Sequence, residues 1–297
     1  MSTTKKALLI GCNYSSDPAN RLYGCINDVT NMANTLVDAF DYDLANITIL
    51  RDDSPAQSPT RANILQKLND LVNTSSTLTE IWFHYSGHGS QVKDTNGDEA
   101  EGLDEVIVPT DFKTKGCITD DEIYACLQKI SPKCRAILLF DSCHSGSICD
   151  LANGYQINGS VISKYPLSNK PLSNPNIYCF SGCKDAQTSA DAYSAVEARS
   201  VGAFTATFLY CLRCNHFNVD IMKLYKDICT SISASGFTQT PTFSSSSPVV
   251  PVFTFGRVSY RNVATISNPS PALLTSAIAT GNNKEISASP KKMGMIW

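Results

Sequence analysis

Two short polar clusters contain the side chains that a thiol-dependent hydrolase needs. The first is His-Tyr-Ser-Gly-His-Gly at residues 84–89, and the second is Asp-Ser-Cys-His-Ser-Gly at residues 141–146. A cysteine attacks a carbonyl carbon as a thiolate, and a nearby imidazole can take the thiol proton and pass it to a leaving amine. Cys143 paired with His88 therefore predicts hydrolysis of peptide bonds through a covalent intermediate.

The residues before each cluster indicate where it lies in the fold. Apolar runs at 81–83 and 136–140 have the character of buried strands. The carboxyl ends of the strands in an open parallel sheet form the edge that carries an active site. A lone cysteine at a strand end is usually a small core residue, and a lone loop histidine is usually inert. The two together, each among small residues at the same edge, favour a catalytic dyad.

The rest of the chain predicts the elements that must position this dyad. Strand and helix patterns alternate, which requires crossover connections and a mainly parallel sheet with helices on both faces. We expect an α/β fold with six strands, the last an edge strand at 248–253 because of its prolines, and a surface loop at 151–174. The other predicted strands lie at 7–11, 47–50, 81–83, 136–140 and 176–180, and the helices at 26–40, after Thr60, after the capping box of Thr119 and Glu122, at 202–212 and at 219–232.

Composition excludes several classes of function. The chain has 297 residues, of which 17% are charged, and a net charge of −3, so bulk charge gives no reason to expect nucleic-acid or membrane-surface binding. No apolar run approaches the roughly 20 residues of a membrane span, and the run at 7–10 is too short for a signal peptide. Twelve cysteines without such a signal predict mostly buried thiols and a cytoplasmic protein.

The two clusters, in which His88 and Cys143 are 55 positions apart, resemble the catalytic motifs of metacaspases. These are caspase-related cysteine peptidases of plants, fungi, protists and bacteria. The spacing resembles type I more than type II, although the sequence shows no Pro-rich N-terminal prodomain of the kind that type I members often carry. The resemblance covers about residues 5–255 and includes further matches at 23–29, 104–111, 116–121, 181–185 and 189–192.

The resemblance implies a caspase-hemoglobinase fold and a single peptidase domain at 1–260. That domain has a large-subunit-like part at 1–150, a loop at 151–175 and a small-subunit-like part at 176–260, followed by a flexible tail at 261–297. Cys143 is then the nucleophile and His88 the base and acid, with a thioester acyl-enzyme between them. The pattern assigns neither His84 nor His144 to catalysis. Metacaspases are usually monomers, so we expect a monomer.

Two aspartates suggest the substrate. Asp28 follows a strand-to-helix turn, and Asp141 lies two residues before Cys143. If both face the pocket beside the thiol, the pocket is acidic and prefers Arg or Lys before the scissile bond. The resemblance puts the two aspartates in that pocket, with Cys25 and Ser86 nearby. The simpler alternatives are a helix N-terminal acid for Asp28 and a buried acid bound by backbone N–H groups for Asp141.

The resemblance also implies activation by Ca²⁺ bound outside the dyad, with carboxylates at Asp104, Asp120, Asp121 and Asp150. Four carboxylates with carbonyls and water can supply the 6–8 oxygens that Ca²⁺ takes. Asp120 and Asp121 also suit the first turn of a helix without any metal. Residues 94–105 carry acids at EF-hand offsets, but Glu99 stands where that loop requires glycine, which argues against an EF-hand.

The sequence supports three further hypotheses. Lys164 and Lys170, both expected to be exposed in the 151–175 loop, are candidates for self-cleavage. Cys211 and Cys214, with His216 beyond, have the spacing of a zinc or redox half-site, although buried structural thiols are favoured. A complete zinc site would need a second pair of cysteines, and only Cys179 and Cys183 have a suitable spacing. The rival function is a catalytically silent metacaspase-like scaffold or regulator, against which the intact dyad argues.

Overall fold

The computed structural model of the chain describes residues 4–94, 97, 102–143, 145–159, 161–183, 191–194 and 199–257. Its α-helices are α1 (Cys25–Phe40), α2 (Arg61–Asn73), α3 (Phe112–Lys115), α4 (Asp120–Leu127), α5 (Ala203–Cys214) and α6 (Ile221–Ala234), and its 3₁₀ turns are Leu44–Asn46, Pro55–Gln57 and Ser75–Thr77. Its strands are β1 (Lys5–Gly11), β2 (Ile47–Arg51), β3 (Glu80–Ser86), β4 (Gly89–Lys93), β5 (Leu103–Ile107), β6 (Ile118–Thr119), β7 (Arg135–Asp141), β8 (Asn153–Asn158), β9 (Val161–Pro166), β10 (Ile177–Ser181), β11 (Asp191–Ser194), β12 (Arg199–Gly202), β13 (Val219–Asp220), β14 (Thr242–Ser245) and β15 (Thr254–Phe255).

The largest sheet has the strand order β2-β1-β3-β7-β10-β14-β8-β9. Strands β2, β1, β3, β7 and β10 are parallel, whereas β14, β8 and β9 pair antiparallel. The predicted α/β class and mainly parallel sheet are therefore confirmed. The sheet has eight strands where the sequence predicted six.

The two extra strands form a hairpin, β8–β9, inside the segment predicted as a loop. That prediction was wrong because the segment is rich in Ser, Asn and Gly. An edge hairpin needs few apolar residues, and this one is held by the buried Tyr155, whose ring lies 5.3 Å from that of Phe243. Ile157 and Ile162 pair across the hairpin and pack against the same core.

The last predicted strand is also displaced. No strand forms at 248–253, where two prolines remove backbone donors and Val249, Val250 and Val252 are exposed. The chain instead inserts β14, Thr-Phe-Ser-Ser, between β10 and β8, with all four residues buried. Such a short polar strand has no periodicity by which the sequence could reveal it.

Helices cover both faces of the sheet because side chains alternate along each strand. On one face, Leu9, Trp82 and Leu139 contribute to a core shared with α1, α5 and α6. On the other face, Leu8 and Phe83 contribute to a core shared with α2 and α4. Both predicted caps form: Thr60 Oγ1 accepts from the N–H of Asn63, and Thr119 makes a capping box with Glu122.

The strand ends are aligned where the two polar clusters begin. Ser86, the last residue of β3, pairs with Asp141, the last residue of β7. A small antiparallel sheet, β4-β5-β6, continues the chain from His88 towards α4. The predicted tail at 261–297 lies outside the described residues. Within the part of the chain that the structure describes, no helix is both long and apolar enough to cross a membrane.

Candidate active site

The turns that carry His88 and Cys143 touch each other. Each residue lies two positions beyond the end of its strand, and those strands, β3 and β7, are neighbours. Gly89 packs so closely against the second turn that a Cβ there would overlap the carbonyl oxygen of Cys143. Cys143 is partly exposed, whereas most of the other cysteines are buried. The arrangement presents one accessible thiol beside the histidine turn.

Hydrogen bonds within the Cys143 turn, and from the end of strand β10 and the residues after it, hold this turn in place. The Ser181 hydroxyl donates to the carbonyl oxygen of Ser145 at 2.6 Å. The carbonyl oxygen of Ser142 accepts from the Ser145 hydroxyl at 2.9 Å and from the Cys183 thiol at 3.3 Å. The turn is therefore fixed on both sides of Cys143.

The imidazole of His88 is oriented by a main-chain group. Its Nε2 lies 2.7 Å from the carbonyl oxygen of Asn20. A carbonyl only accepts hydrogen bonds, so Nε2 carries the proton and Nδ1 keeps the lone pair. Burial lowers the pKa of His88 below its usual 6.5, although the Asn20 carbonyl and the Asp17 carboxylate oppose that shift. His88 is therefore neutral at pH 7 and can act as a base through Nδ1.

Asp28 and Asp141, the two predicted pocket aspartates, converge on one point. Gly202 lies between them: a Cβ there would overlap Asp141 Oδ2 and lie 2.7 Å from Asp28 Oδ2. Asp28 accepts from the Ser86 hydroxyl at 2.7 Å and from the Gly202 N–H at 2.9 Å, and Asp141 accepts from the Thr205 N–H at 2.8 Å. Ser86, Gly202 and Thr205 thus hold both carboxylates at one point of the site.

The other two predicted pocket residues lie beside this pair. Ser86 is buried and bonds directly to Asp28. Cys25 is buried at the start of α1, one turn before Asp28, and its N–H donates to the Asn13 side chain at 3.0 Å. Their roles in substrate binding stay predictions.

The predicted calcium residues also come together, around an internal cation. Carboxylate oxygens of Asp104, Asp120 and Asp121 lie within 4.8 Å of one another. The Lys170 ammonium lies 3.0 Å from Asp121 Oδ1 and 2.6 Å from Asp150 Oδ2. We call these four aspartates the acidic cluster. A residue predicted as a self-cleavage site is therefore a half-buried counter-ion of this cluster.

Burial and neighbouring carboxylates disfavour the ionised form of Asp120 in the acidic cluster. Burial raises the pKa of Asp120 to about 8, and the carboxylates of Asp150 and Glu105 add to the rise. Asp120 Oδ2 accepts the N–H of Glu105 at 2.9 Å, which fixes α4 against β5. Oxygen donors arranged in this way suit a hard divalent cation such as Ca²⁺.

The competing sites receive no support from the structure. His84 is buried in β3, contacts Thr205, and has a pKa lowered to about 3 by burial. His144 lies outside the described residues. An EF-hand at 94–105 would need a helix on each side. The described residues on either side form strands β4 and β5 instead, which excludes the EF-hand alternative.

The zinc or redox alternative also fails on geometry. Among the described residues, the side chains close enough together to hold a metal ion are those of Asp104, Asp120 and Asp121, with no group that includes cysteine or histidine. The Cys211 thiol lies 3.6 Å from the Ser231 hydroxyl, and burial raises its pKa to about 12. A thiol that stays protonated is a poor ligand and a poor nucleophile.

The self-cleavage candidates differ in their surroundings. Lys164 is exposed within β9, and its ammonium donates to the carbonyl oxygen of Pro248 at 2.7 Å. Lys170 lies in irregular chain after β9 and is less exposed than we predicted.

Known proteins of one family are similar to this chain. Residues 5–152 match the family model described as "Metacaspase, peptidase C14 domain". The chain is 34% identical to Metacaspase-1A of Neurospora crassa, over 84% of this chain and 64% of that protein. It is 36% identical to Metacaspase-1A of Aspergillus niger, over 83% of this chain and 71% of that protein. The chain thus spans just under two thirds of the Neurospora protein.

The fold is similar to a solved structure as well. The crystal structure of Caspase-1 from Spodoptera frugiperda superposes with a TM-score of 0.56 and 12% sequence identity, over 86% of this chain and 90% of that one. This likeness shows that the two share the caspase-hemoglobinase fold.

Proposed function

Because the chain belongs to the metacaspase family, we propose that it is a cysteine endopeptidase with Cys143 as nucleophile and His88 as base and acid. It cleaves after Arg or Lys and is activated by Ca²⁺. The observation that carries the proposal is the contact between the Cys143 and His88 turns, at paired strand ends and beside the convergent carboxylates of Asp28 and Asp141.

The reaction follows from the state of the two side chains. Nδ1 of His88 takes the thiol proton, and the Cys143 sulfur attacks the carbonyl carbon of the scissile bond. His88 then gives that proton to the leaving amine, the C–N bond breaks, and a thioester remains on Cys143. Water, deprotonated by His88, attacks the thioester, and the carboxylic acid leaves as the thiol regains its proton.

Two buried carboxylates support the preference for basic residues. A guanidinium or ammonium group recognised by Asp28 and Asp141 gains charge-assisted hydrogen bonds that a neutral or acidic side chain cannot form. Gly202 leaves room between them because it has no Cβ. A substrate ending in Asp would instead meet like charges and be rejected.

The acidic cluster supports the calcium proposal. Asp104, Asp120, Asp121 and Asp150 would hold the ion, since carboxylates are the ligands that Ca²⁺ prefers. Bound Ca²⁺ would neutralise these carboxylates and link β5, α4 and the segment that follows the Cys143 turn. The Lys170 ammonium already contacts Asp121 and Asp150, so Ca²⁺ and this lysine compete for the same oxygens.

That competition links calcium to self-cleavage. Release of Lys170 from the acidic cluster would expose a basic residue in irregular chain, which a protease of this specificity can take as a substrate. Lys164 is the weaker candidate because its backbone pairs with β8. A single band after prolonged incubation with Ca²⁺ would count against self-cleavage at either lysine.

The sheet edge supports a monomer. Caspases dimerise through an edge strand, but here β14 is covered by the β8–β9 hairpin. Strand β9 therefore forms this edge of the sheet. It carries Lys164 and Pro166, and such residues discourage strand pairing between molecules. The type I-like subtype and a cytoplasmic location remain part of this proposal, on the sequence arguments given above.

Paired fluorogenic peptides that end in Arg or in Asp test the proposed function. We expect cleavage of the Arg peptide in millimolar Ca²⁺, no cleavage in a chelator, and none by Cys143→Ala. A Cys214→Ala variant is the matched control, because Cys214 is an exposed thiol at the last residue of α5, at the opposite end of that helix from Gly202. Preferential cleavage after Asp, or full activity of Cys143→Ala, would overturn the proposal.

A further inference from the structure

Two buried tyrosines lie against the main chain of His88. The N–H of His88 donates to the Tyr14 hydroxyl at 3.0 Å, and the Tyr14 hydroxyl donates to the carbonyl oxygen of Val108 at 2.7 Å. The N–H of Val108 donates to the Tyr85 hydroxyl at 3.2 Å, and the Tyr85 hydroxyl donates to the carbonyl oxygen of His88 at 2.7 Å. Each hydroxyl thus bridges one peptide group of His88 to one of Val108.

These bridges extend the β4–β5 ladder to the histidine. Gly89 pairs with Ile107 at the end of the ladder, so His88 and Val108 are the next pair along. One direct bond, from the Val108 N–H to the His88 carbonyl oxygen, also forms at 3.1 Å. A hydroxyl can donate one hydrogen bond and accept another, so the two tyrosines complete the pairing of both peptide groups.

Tyr14 also contacts the imidazole itself. The two rings lie 4.7 Å apart, at 32° to each other. The backbone of Tyr14 has φ of +51°, which is sterically costly for a bulky side chain and persists only where the surroundings enforce it. The Asp52 carboxylate accepts the N–H of Asn13 at 2.8 Å and of Ser15 at 2.7 Å, on either side of Tyr14.

We propose that Tyr14 and Tyr85 are positioning residues for His88, with Asp52 holding Tyr14 in its strained conformation. The inference rests on the proposed function, because it assigns His88 to catalysis. The tyrosines fix the main chain and one ring face of His88, and the Asn20 carbonyl fixes Nε2. Together these contacts fix the position of the imidazole. A misplacement of a catalytic group by about 1 Å lowers the rate of reaction strongly.

Three variants test the proposal: Tyr14→Phe, Tyr85→Phe and Asp52→Asn. The control is Tyr225→Phe, because Tyr225 is also buried and its hydroxyl also bonds to main-chain carbonyls, those of Tyr155 and Pro241, but in another part of the core. Measurements are kcat and KM for an Arg peptide, thermal stability, and the pKa of His88 by NMR without substrate.

We expect Tyr14→Phe and Tyr85→Phe each to lower kcat about tenfold with little change in KM. The pKa of His88 should also move towards 6.5 as water reaches the loosened ring. Tyr225→Phe should retain kcat at an equal or greater loss of thermal stability. Asp52→Asn should lower kcat as Tyr14→Phe does, and combining the two should add little.

Two results would overturn the proposal. One is that Tyr14→Phe and Tyr85→Phe keep kcat within twofold and leave the pKa of His88 unchanged. The other is that Tyr225→Phe loses as much kcat, which would make the effect one of general stability. If the wild-type protein cleaves no peptide, the proposed function fails. The NMR titration of His88 in the variants then still decides whether the tyrosines control its environment.

Discussion

The Nε2 atom of His88 lies 2.7 Å from the main-chain carbonyl oxygen of Asn20. This contact selects one tautomer, because the carbonyl can only accept a hydrogen bond. It therefore assigns Nδ1 as the basic nitrogen of the imidazole, a role that side-chain identity alone cannot reveal. Several expectations for this site depend on the neutral, oriented state of His88.

The pH dependence of activity should follow the lowered pKa of His88. Burial disfavours the protonated ring, so the folded pKa lies below 6.5 and the base is present at pH 7. We expect the acidic limb of the kcat/KM profile to lie below pH 6.5, with activity independent of pH just above it. A pH profile with an Arg peptide measures this limb. An acidic limb above pH 6.5 would contradict the assignment.

Replacing Asp28 or Asp141 with Asn should impair binding of basic substrates. A hydrogen bond to a charged group contributes about 1.5–3 kcal/mol, so we expect kcat/KM for an Arg peptide to fall about 10- to 100-fold. Asp38→Asn is the matched control, because Asp38 is an exposed acid on the same helix as Asp28. Equal losses in Asp28→Asn and Asp38→Asn would count against an acidic pocket.

Adding a single methyl group at Gly89 should uncouple the two catalytic turns. Its Cβ would overlap the Cys143 carbonyl oxygen, which is main chain and cannot swing aside. We expect Gly89→Ala to lose at least about 100-fold in kcat, as a displacement of about 1 Å would cause. Gly256→Ala controls for the loss of glycine, because its Cβ meets nothing within 4 Å. Full kcat in both variants would show that close contact between the two turns is not needed for catalysis.

Removing the Lys170 charge should strengthen calcium binding. The ammonium contacts Asp121 and Asp150, and Lys170→Gln deletes that competitor. An ion pair worth about 1 kcal/mol corresponds to roughly fivefold in affinity, which is the expected fall in the calcium dissociation constant. Calorimetry in a Cys143→Ala background measures binding without self-cleavage.

Lys164→Gln is the control for that experiment, because the Lys164 ammonium bonds to the Pro248 carbonyl instead of to the acidic cluster. It removes the same charge from the same part of the chain and should leave calcium affinity unchanged. Unchanged or weaker affinity in Lys170→Gln would show that the lysine does not compete with the ion.

Much of the site could be predicted because it depends on side-chain types at strand ends. The structure brings the turns of Cys143 and His88 into contact and makes Asp28 and Asp141 converge, as the sequence indicated. The helices could also be predicted, because their apolar spacing and their caps are local signals in the sequence. The long-range partners could not be predicted. A carbonyl such as that of Asn20 has no residue signature, and the pairing of Lys170 with Asp150 depends on how the 151–175 segment folds.

The same reason explains the errors in the sheet. The β8–β9 hairpin and β14 are polar in sequence, and they become strands because neighbours supply pairing and cover. Tyr14 resembles an ordinary core residue in sequence. Its positive φ and its contact with His88 arise only when β1, β3 and the Asp52 loop come together.

Covalent labelling by a peptide chloromethyl ketone ending in Arg tests the central claim most directly. The chain has twelve cysteines, and Cys214 is more exposed than Cys143, so unselective alkylation would modify Cys214 first. With Ca²⁺ present, we predict a single adduct, mapped by mass spectrometry to Cys143. The rate at which this adduct forms should fall sharply in His88→Ala and in Asp28→Asn. Labelling at Cys214 with Cys143 unmodified, or equally fast reaction of the matching Asp reagent, would contradict the account.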